Sequence, residues 1–368
     1  MALARKAPRK TTKHRQVGVG KIGVLNSDGH AIGVDIGATA VRAAIVSPGT
    51  MDGRPSVTVH GLGEQELPAG SVVNGVVSDQ ASVTRALKTL WEVNKFECRT
   101  VILGVSSQQV VVRDLTLPNL PPDQMAKALP FQARDVVPIP LDQALLDFAP
   151  LGMPDPATDT INGVLIAAPR APVVTAVQAV ERAGLKVARV DLASFALLRS
   201  IADEQVEVEA VIDIGAHITT IVIHRQGIPK VVRAVTRGGA EWTDLLVTKG
   251  GMQEAEAEAA KCAVGVTSQD PKVSTIVGQA VRPLVAEIRS SIQYFGSTNP
   301  GAVLERVALA GRSSQLPGLA EMFSDQLGVP TNVADPMRHV RNRYNSKGEP
   351  KEHAATAVSV GLAIGAVA

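Results

Sequence analysis

The stretch AIGVDIGATAVRAAIV, residues 31–46, contains two apolar runs that flank Asp35-Ile36-Gly37. A similar stretch, AVIDIGAHITTIVI, occupies residues 210–223 and places Asp213-Ile214-Gly215 between its two runs. Such runs on either side of a glycine-containing turn predict a β-hairpin. A pattern that recurs within one chain indicates a repeated structural unit. The sequence therefore predicts two related hairpins, one in each half of the protein.

The two turns have a composition that suits a polyphosphate. Gly37 and Gly215 lack a Cβ atom, so the backbone can approach an anion and present successive N–H groups to it. The hydroxyl group of Thr39 adds a donor. Asp35 and Asp213 are suited to holding Mg²⁺ through water, because this ion dehydrates reluctantly. The alternative is that the glycines serve only the turns.

Length and composition indicate a globular protein with two lobes. The chain has 368 residues, 45% of them hydrophobic and 20% charged, too long for one simple core. Cys98 and Cys262 are its only cysteines and form no CxxC motif, which favours reduced thiols and a cytoplasmic location. Residues 1–21 lack the apolar region of a signal peptide. The apolar run 354–368 is shorter than the roughly 20 residues of a membrane span.

Residues 1–29 are predicted to form a disordered basic arm. Seven Lys or Arg and no acidic residue lie within residues 1–27, although the net charge of the whole chain is only +2. Each basic residue near an anionic membrane surface contributes about 1 kcal/mol of attraction. Nucleic acid is an improbable partner, since no aromatic residues interleave these charges. A purely solubilising tail is the alternative.

The remaining chain divides into segments of different character. Residues 30–106 show a β-β-β-α-β order, and residues 107–161 are dense in proline, as expected of an inserted subdomain. The predicted division is lobe one at 30–106 and 162–205, the insert at 107–161, lobe two at 206–245 and 303–368, and a helical subdomain of lobe two at 246–302.

The repeated unit resembles the superfamily of actin, sugar-kinase and chaperone ATPases. Each copy opens with Asp-Ile-Gly, and ALAGRSSQLPGL at residues 308–319 is similar to the adenosine motif of that superfamily. The resemblance implies an α/β protein with the actin-like ATPase fold. In that fold each lobe has a β-β-β-α-β-α core of the ribonuclease H type.

Within this superfamily, residues 30–368 are similar to the PilM family, the actin-like proteins of type IV pilus assembly. The similarity rests on the order and spacing of several short motifs: QARDVVPIP at 132–140, LDF at 146–148, ERAGL at 181–185, VDL at 190–192, RGG at 237–239, Ala257-Glu258 with Lys261, and GLA at 361–363. It implies an inserted subdomain of the FtsA and PilM type, with ATP and Mg²⁺ as ligands. The implied partner is the cytoplasmic N-terminal peptide of a PilN-like membrane protein in the pilus assembly complex. That partner would place the protein peripherally at the cytoplasmic face of the membrane, and self-association stays open.

The resemblance also implies the residues of a nucleotide site. The β- and γ-phosphates are assigned to Asp35, Gly37, Ala38, Thr39 and Ala40 on one side and to Asp213, Gly215, Ala216 and His217 on the other, with Asp35 and Asp213 serving Mg²⁺. The ribose is assigned to Glu258 and Lys261, three residues apart on one helix face. The rest of the nucleotide is assigned to Gly239, Gly311, Arg312 and Ser313.

The same resemblance leaves turnover and function open. Asp191 lies where hydrolytic relatives orient the attacking water, and its alternative role is that of a helix cap or turn residue. Arg312 replaces a glycine usual in the family, and His217 replaces a small or hydroxyl residue, so at most slow ATP hydrolysis is expected. The favoured function is an ATP-binding scaffold of pilus assembly. The alternatives are an FtsA-like division protein and a sugar or acid kinase.

Overall fold

The computed structural model describes residues 29–51, 54–203, 205–338, 340–343 and 350–367. All but the last residue of the predicted basic arm lies outside the described residues. No helix in these ranges is long and apolar enough to cross a membrane.

Lobe one opens with the first predicted hairpin. Its first elements are β1 (Ala31–Ile36), β2 (Ala40–Met51), β3 (Arg54–Glu66), the short pair β4 (Val72–Val73) and β5 (Val76–Val77), α1 (Gln80–Asn94) and β6 (Thr100–Val105). β1, β2 and β3 pair antiparallel in succession, and β6 pairs parallel with β1. α1 begins where the Asp79 carboxylate accepts the N–H groups of Ala81 and Ser82 at 2.9 and 3.1 Å, as expected of a helix N-cap.

The insert follows β6 and has a sheet of its own. It consists of β7 (Val111–Pro118), α2 (Pro122–Ala133), β8 (Ala144–Pro150) and β9 (Thr160–Pro169), with the strands in the order β7-β9-β8. Leu117, Leu129 and Leu165 form the centre of its small core. The sequence prediction ends the insert at residue 161 and returns β9 to lobe one. In the structure β9 pairs with β7 and β8 instead, so the insert extends to residue 169.

The chain then completes lobe one with α3 (Arg170–Arg182), β10 (Lys186–Leu192) and α4 (Ala193–Ile201). β10 pairs parallel with β6 and forms one edge of the sheet, whose order is β10-β6-β1-β2-β3. One face of this sheet packs on α1 and α3 through a cluster that includes Ile32, Leu87 and Trp91. The β-β-β-α-β-α order predicted for the lobe is therefore present, with the insert between β6 and α3.

Lobe two repeats this plan. Its elements are β11 (Val208–Ile214), β12 (Thr219–Arg225), β13 (Ile228–Val235), α5 (Gly239–Gly250), α6 (Glu254–Val264), α7 (Pro271–Thr298), β14 (Arg306–Ala310), α8 (Leu319–Leu327) and β15 (Thr331–Val333). The strand order is β13-β12-β11-β14-β15, in which β11 and β12 form the second predicted hairpin. A large core that contains Trp242, Leu284 and Phe323 joins this sheet to its helices.

The C-terminal segment returns to lobe one. β16 (Arg341–Asn342) pairs parallel with β3, and α9 (Ala357–Val367) packs on β1 and β2 beside Ala31, Val46 and Ile102. The sequence prediction assigned residues 303–368 to lobe two. The structure differs because α9 is apolar on all sides and is covered by the free face of the lobe-one sheet and by α4.

α4 and α9 form the junction between the lobes. Leu197 and Ile201 of α4 pack against Val211 and Ala308 of lobe two. α9 approaches α4 so closely that a Cβ atom at Gly361 would lie 1.8 Å from the carbonyl oxygen of Ala196. The two lobes are therefore joined through helices whose contact requires glycine.

Replacing Gly361 by alanine should force α9 away from α4 and lower the free energy of unfolding by about 1–3 kcal/mol. Gly278→Ala is the matched control. It lies within α7 with no atom within 4 Å of the new methyl group, so alanine should stabilise the helix by about 0.5–1 kcal/mol. Urea denaturation measures both effects. Equal stabilities for the parent and Gly361→Ala would contradict this account of the junction.

Candidate functional site

The two hairpin turns meet in a cleft between the lobes, where two carboxyl groups interact. Burial, reinforced by the nearby charge of Asp35 and opposed by Arg42, raises the pKa of Asp213 to about 7. Burial also raises the pKa of Asp35, against the attraction of Arg42. The repeat thus brings together the two aspartates that the sequence predicted to share Mg²⁺.

Each turn is closed by its own glycine. The N–H group of Gly37 donates to the carbonyl of Ala40 at 3.0 Å, and that of Gly215 donates to Ile218 at the same distance. These two N–H groups are therefore used within the turns and are not free to bind an anion. The need for glycine at position 215 is steric, since a Cβ atom there would lie 2.8 Å from the Ile218 oxygen.

The residues after each glycine supply the free donors. Within the described part of the chain, no acceptor pairs with the backbone N–H groups of Ala38, Thr39, Ala216 and His217. Thr39 and His217 are exposed, whereas Ala40 is buried as the first residue of β2. Both turns therefore contain backbone N–H groups without an acceptor among the described residues, and such groups can bind an anion.

The loop after β14 adds a third wall. A Cβ atom at Gly311, where φ is +82°, would lie 2.3 Å from an Asp213 oxygen, so only glycine fits there. Ser313 Oγ donates to the Gly215 carbonyl at 3.0 Å, and the N–H of Gly239 donates to the same oxygen at 3.0 Å. Through these hydrogen bonds the second turn contacts both the start of α5 and the loop after β14.

Lys261 and Glu258 form a compact polar cluster on α6 beside the start of α5. The buried Lys261 Nζ donates to the Gly239 carbonyl at 3.0 Å, to Thr243 Oγ1 at 2.8 Å and to Glu258 Oε2 at 2.6 Å. Burial opposes ionisation of Glu258, but the bonds from Lys261 and Thr243 outweigh it and hold its pKa below the usual value. Since 53% of the Glu258 side chain is exposed, its carboxylate can accept a hydroxyl group from outside.

Sequence reasoning missed Thr243, which holds both members of this pair. Thr243 Oγ1 donates to Glu258 Oε2 at 2.5 Å and lies one helical turn after Gly239. The signal in the sequence was the spacing of one helical turn between Gly239, where α5 begins, and Thr243.

Sequence reasoning also missed Arg42 and Glu64 in lobe one. The strand register places Arg42 opposite Asp35 on one side and opposite Glu64 on the other. Arg42 Nε donates to Glu64 Oε2 at 2.8 Å, and its Nη1 lies 3.9 Å from the Asp35 carboxylate. Side chains alternate between the two faces of a strand, so a known register of β1, β2 and β3 would have placed Asp35, Arg42 and Glu64 in one row.

Arg312 has a partner in the protein. Its guanidinium reaches across the cleft from lobe two and forms an ion pair with Glu64 Oε1 of lobe one. Arg312, which replaces the glycine usual at this position in the family, therefore spans the cleft.

Asp191 lies near the end of β10. The register through β6 places it at the same height in the sheet as Asp35, two strands away. At ordinary strand spacing, the backbones of the two residues are about 10 Å apart. Its Oδ2 accepts Arg199 at 2.5 Å and Arg189 at 3.3 Å, and its Oδ1 accepts the N–H of Leu192 at 2.8 Å. The two arginines also donate to α9, Arg199 to Gly361 and Arg189 to Gly365. These contacts make Asp191 an anchor for α9, and its role in orienting water stays a prediction.

A groove of about 150 Å³ separates the insert from lobe one. Leu145 and Leu146 of β8 form one wall, Val190 and Leu192 of β10 form the other, and Phe195 of α4 lies between them. β8 and β10 are both edge strands of their sheets, so both present backbone groups that no neighbouring strand in the described part of the chain pairs. The groove thus has the form of a site for an extended apolar segment.

Within the described residues, no group of three or more His, Cys, Asp or Glu side chains could hold a metal ion. Asp35 and Asp213 form a pair of carboxyl groups, and burial raises the pKa of Asp213 to about 7. This pair fits Mg²⁺, which binds through one or two carboxylates and takes its other ligands from water and phosphate.

If Asp191 is an anchor, Asp191→Asn should lower the free energy of unfolding by about 2–4 kcal/mol, because it leaves two partly buried guanidinium groups without their carboxylate. Glu207→Gln, which removes one member of an exposed pair with Arg225, is the control and should change stability by less than about 1 kcal/mol. Urea denaturation checks both variants. Unchanged stability combined with loss of ATP hydrolysis in Asp191→Asn would instead support the water-orienting role.

The architecture matches those of known actin-like proteins. The structure of a PilM–PilN type IV pilus biogenesis complex is similar with a TM-score of 0.78 and 27% identity, covering 92% of this chain and 98% of the matched chain. The ethanolamine utilization protein EutJ from Carboxydothermus hydrogenoformans shares the fold, with a TM-score of 0.55 and 16% identity over 91% of this chain and 90% of the matched chain. The ADP-bound MreB5 of Spiroplasma citri also shares it, with a TM-score of 0.51 and 12% identity over 91% of this chain and 95% of the matched chain. The expected actin-like ATPase fold is therefore confirmed.

The family profile described as type IV pilus assembly protein PilM matches residues 33–367, nearly the whole described chain. This match confirms the family to which the sequence motifs pointed. The chain belongs to the PilM family of actin-like type IV pilus assembly proteins.

Proposed function

We propose that the protein is an ATP-dependent scaffold at the cytoplasmic face of the inner membrane. In this proposal the cleft binds ATP with Mg²⁺, and the groove binds the N-terminal cytoplasmic peptide of a PilN-like membrane protein. Contact with the membrane is indirect, through that partner. The observation that carries the proposal is that the two turns bring Asp35 and Asp213 together, next to backbone N–H groups that have no acceptor among the described residues.

Different residues of the cleft would bind the phosphates and the ribose of the nucleotide. Unpaired N–H groups at Ala38, Thr39, Ala216 and His217 would bind the phosphate oxygens from both lobes. Glu258 would accept a ribose hydroxyl group, oriented by Lys261 and Thr243. Mg²⁺, when bound, would neutralise phosphate charge and favour the ionised form of Asp213. A scaffold of this kind needs closure of the lobes and not fast turnover, which agrees with the occupied carboxylate of Asp191.

The groove suits a peptide because it combines two kinds of contact. An extended segment can pair its backbone with the free edge of β8 or β10 and place alternate side chains against the apolar walls. Arg189 Nε is buried beside the groove and has no hydrogen-bond partner among the described residues, so it could donate to a carbonyl oxygen of the segment. A PilN chain is the partner in the similar PilM–PilN complex, which supports the same class of partner here.

The protonated state of Asp213 should make stability depend on pH. Between its unfolded pKa of 3.8 and its folded value of about 7, the folded protein holds a proton that the unfolded chain releases. The free energy of unfolding should therefore fall by about 1.4 kcal/mol for each pH unit as the pH rises from 5 to 7, and then level off. Asp213→Asn keeps the neutral form at every pH and should lack this slope.

Urea denaturation from pH 5 to 8 measures this difference. Asp244→Asn, an exposed change on α5, is the control and should follow the parent. Calorimetric titration of the parent with Mg²⁺–ATP should in addition show proton release near pH 7. Parallel stability curves for the parent and Asp213→Asn would contradict the proposed state of the carboxyl pair.

Val190→Glu should weaken binding of the partner peptide at least about tenfold, because it places a charge in the apolar wall of the groove. Val93→Glu is the matched control, since Val93 is 71% exposed on α1 and lies outside the groove. Fluorescence anisotropy with the labelled N-terminal peptide of the PilN-like protein of the same organism measures the affinity. Equal affinities of Val190→Glu and the parent would exclude this groove.

A further inference from the structure

One ion pair crosses the mouth of the cleft. Arg312 follows β14 in lobe two, and its guanidinium bonds Oε1 of Glu64, which lies on β3 of lobe one. The Arg312 side chain is 60% exposed and that of Glu64 is 28% exposed. The pair therefore lies at the surface of the opening and not deep between the lobes.

Glu64 is held in place for this contact. Its second oxygen accepts Arg42 Nε at 2.8 Å, and Arg42 is itself buried beneath the first turn. A Cβ atom at Gly37 would lie only 3.1 Å from Arg42 Nη1. Because Arg42 fixes the carboxylate, pairing with Arg312 costs less side-chain entropy than in an ordinary surface pair.

Arg312 is equally constrained on its own lobe. Its neighbours in sequence are Gly311, which abuts Asp213, and Ser313, which bonds the Gly215 carbonyl. Its charge also acts on Cys262 of α6, beside Glu258. The side chain thus extends from the lobe-two wall of the cleft to Glu64 on the facing lobe.

We propose that Arg312 and Glu64 form a latch that joins the two lobes across the cleft and that separates when a nucleotide enters. The proposal rests on the nucleotide site described above. Because the pair joins the two lobes beside the residues assigned to the phosphates and the ribose, movement of the lobes apart requires it to separate. Exposed ion pairs are weak, and the latch should therefore alter opening by about two- to fivefold and not more.

The first test measures opening without nucleotide. Spin labels at Lys88→Cys on α1 and Lys249→Cys on α5, in a Cys262→Ser background, report the distance between the lobes by pulsed electron paramagnetic resonance. Arg312→Ala and Glu64→Gln should each broaden and lengthen this distance distribution. Arg225→Ala is the control, because it removes an ion pair of similar exposure that lies within lobe two. Distributions identical to that of the parent would overturn the latch.

The second test measures nucleotide entry by stopped-flow fluorescence with a fluorescent ATP analogue and Mg²⁺. Arg312→Ala and Glu64→Gln should raise the association rate by the same factor, about two- to fivefold, and the double variant should match the single variants. Slower or weaker binding by Arg312→Ala, with no change in Glu64→Gln, would show that Arg312 binds phosphate and would overturn the latch. If the parent binds no nucleotide, the proposed nucleotide site fails, and the label distances alone decide whether the pair holds the lobes together.

Discussion

The arrangement of the two lobes depends on contact between the backbones of α9, α4 and β1. Gly361 allows α9 to touch α4, and Gly33 allows it to touch β1, where a Cβ atom would lie 2.2 Å from the Ser359 oxygen. A larger side chain at Gly361 would separate α9 from α4, and one at Gly33 would separate α9 from β1. Because α4 also packs on lobe two, this contact sets the relation between the lobes and hence between their hairpin turns.

The facing turns explain the unusual chemistry of the cleft. Two aspartates from equivalent positions of a repeated unit are placed together, and burial raises the pKa of both. Such a pair is unfavourable unless a cation or a proton compensates it. Arg42 on β2 supplies part of this compensation, because its charge lowers the pKa of both aspartates. Glu64 on β3 pairs with Arg42 and also carries the contact with Arg312.

Local patterns in the sequence predicted the two hairpins, because each hairpin depends on neighbours along the chain. The pairing of β9 with the insert and the return of α9 to lobe one escaped prediction, since both join segments distant in sequence. The Arg42–Glu64 pair depends on strand register across three strands, which composition does not reveal. The partners of Asp191 lie on β10 and α4 and contact α9 in turn, so its anchoring role was equally hidden.

The central claim is that the two turns form one phosphate site. A crystal structure of the protein with Mg²⁺ and a non-hydrolysable ATP analogue tests it most directly. Phosphate oxygens should be bonded to N–H groups of both turns, with the metal ion beside Asp35 and Asp213. A nucleotide bound elsewhere, or one that touches a single lobe, would contradict it.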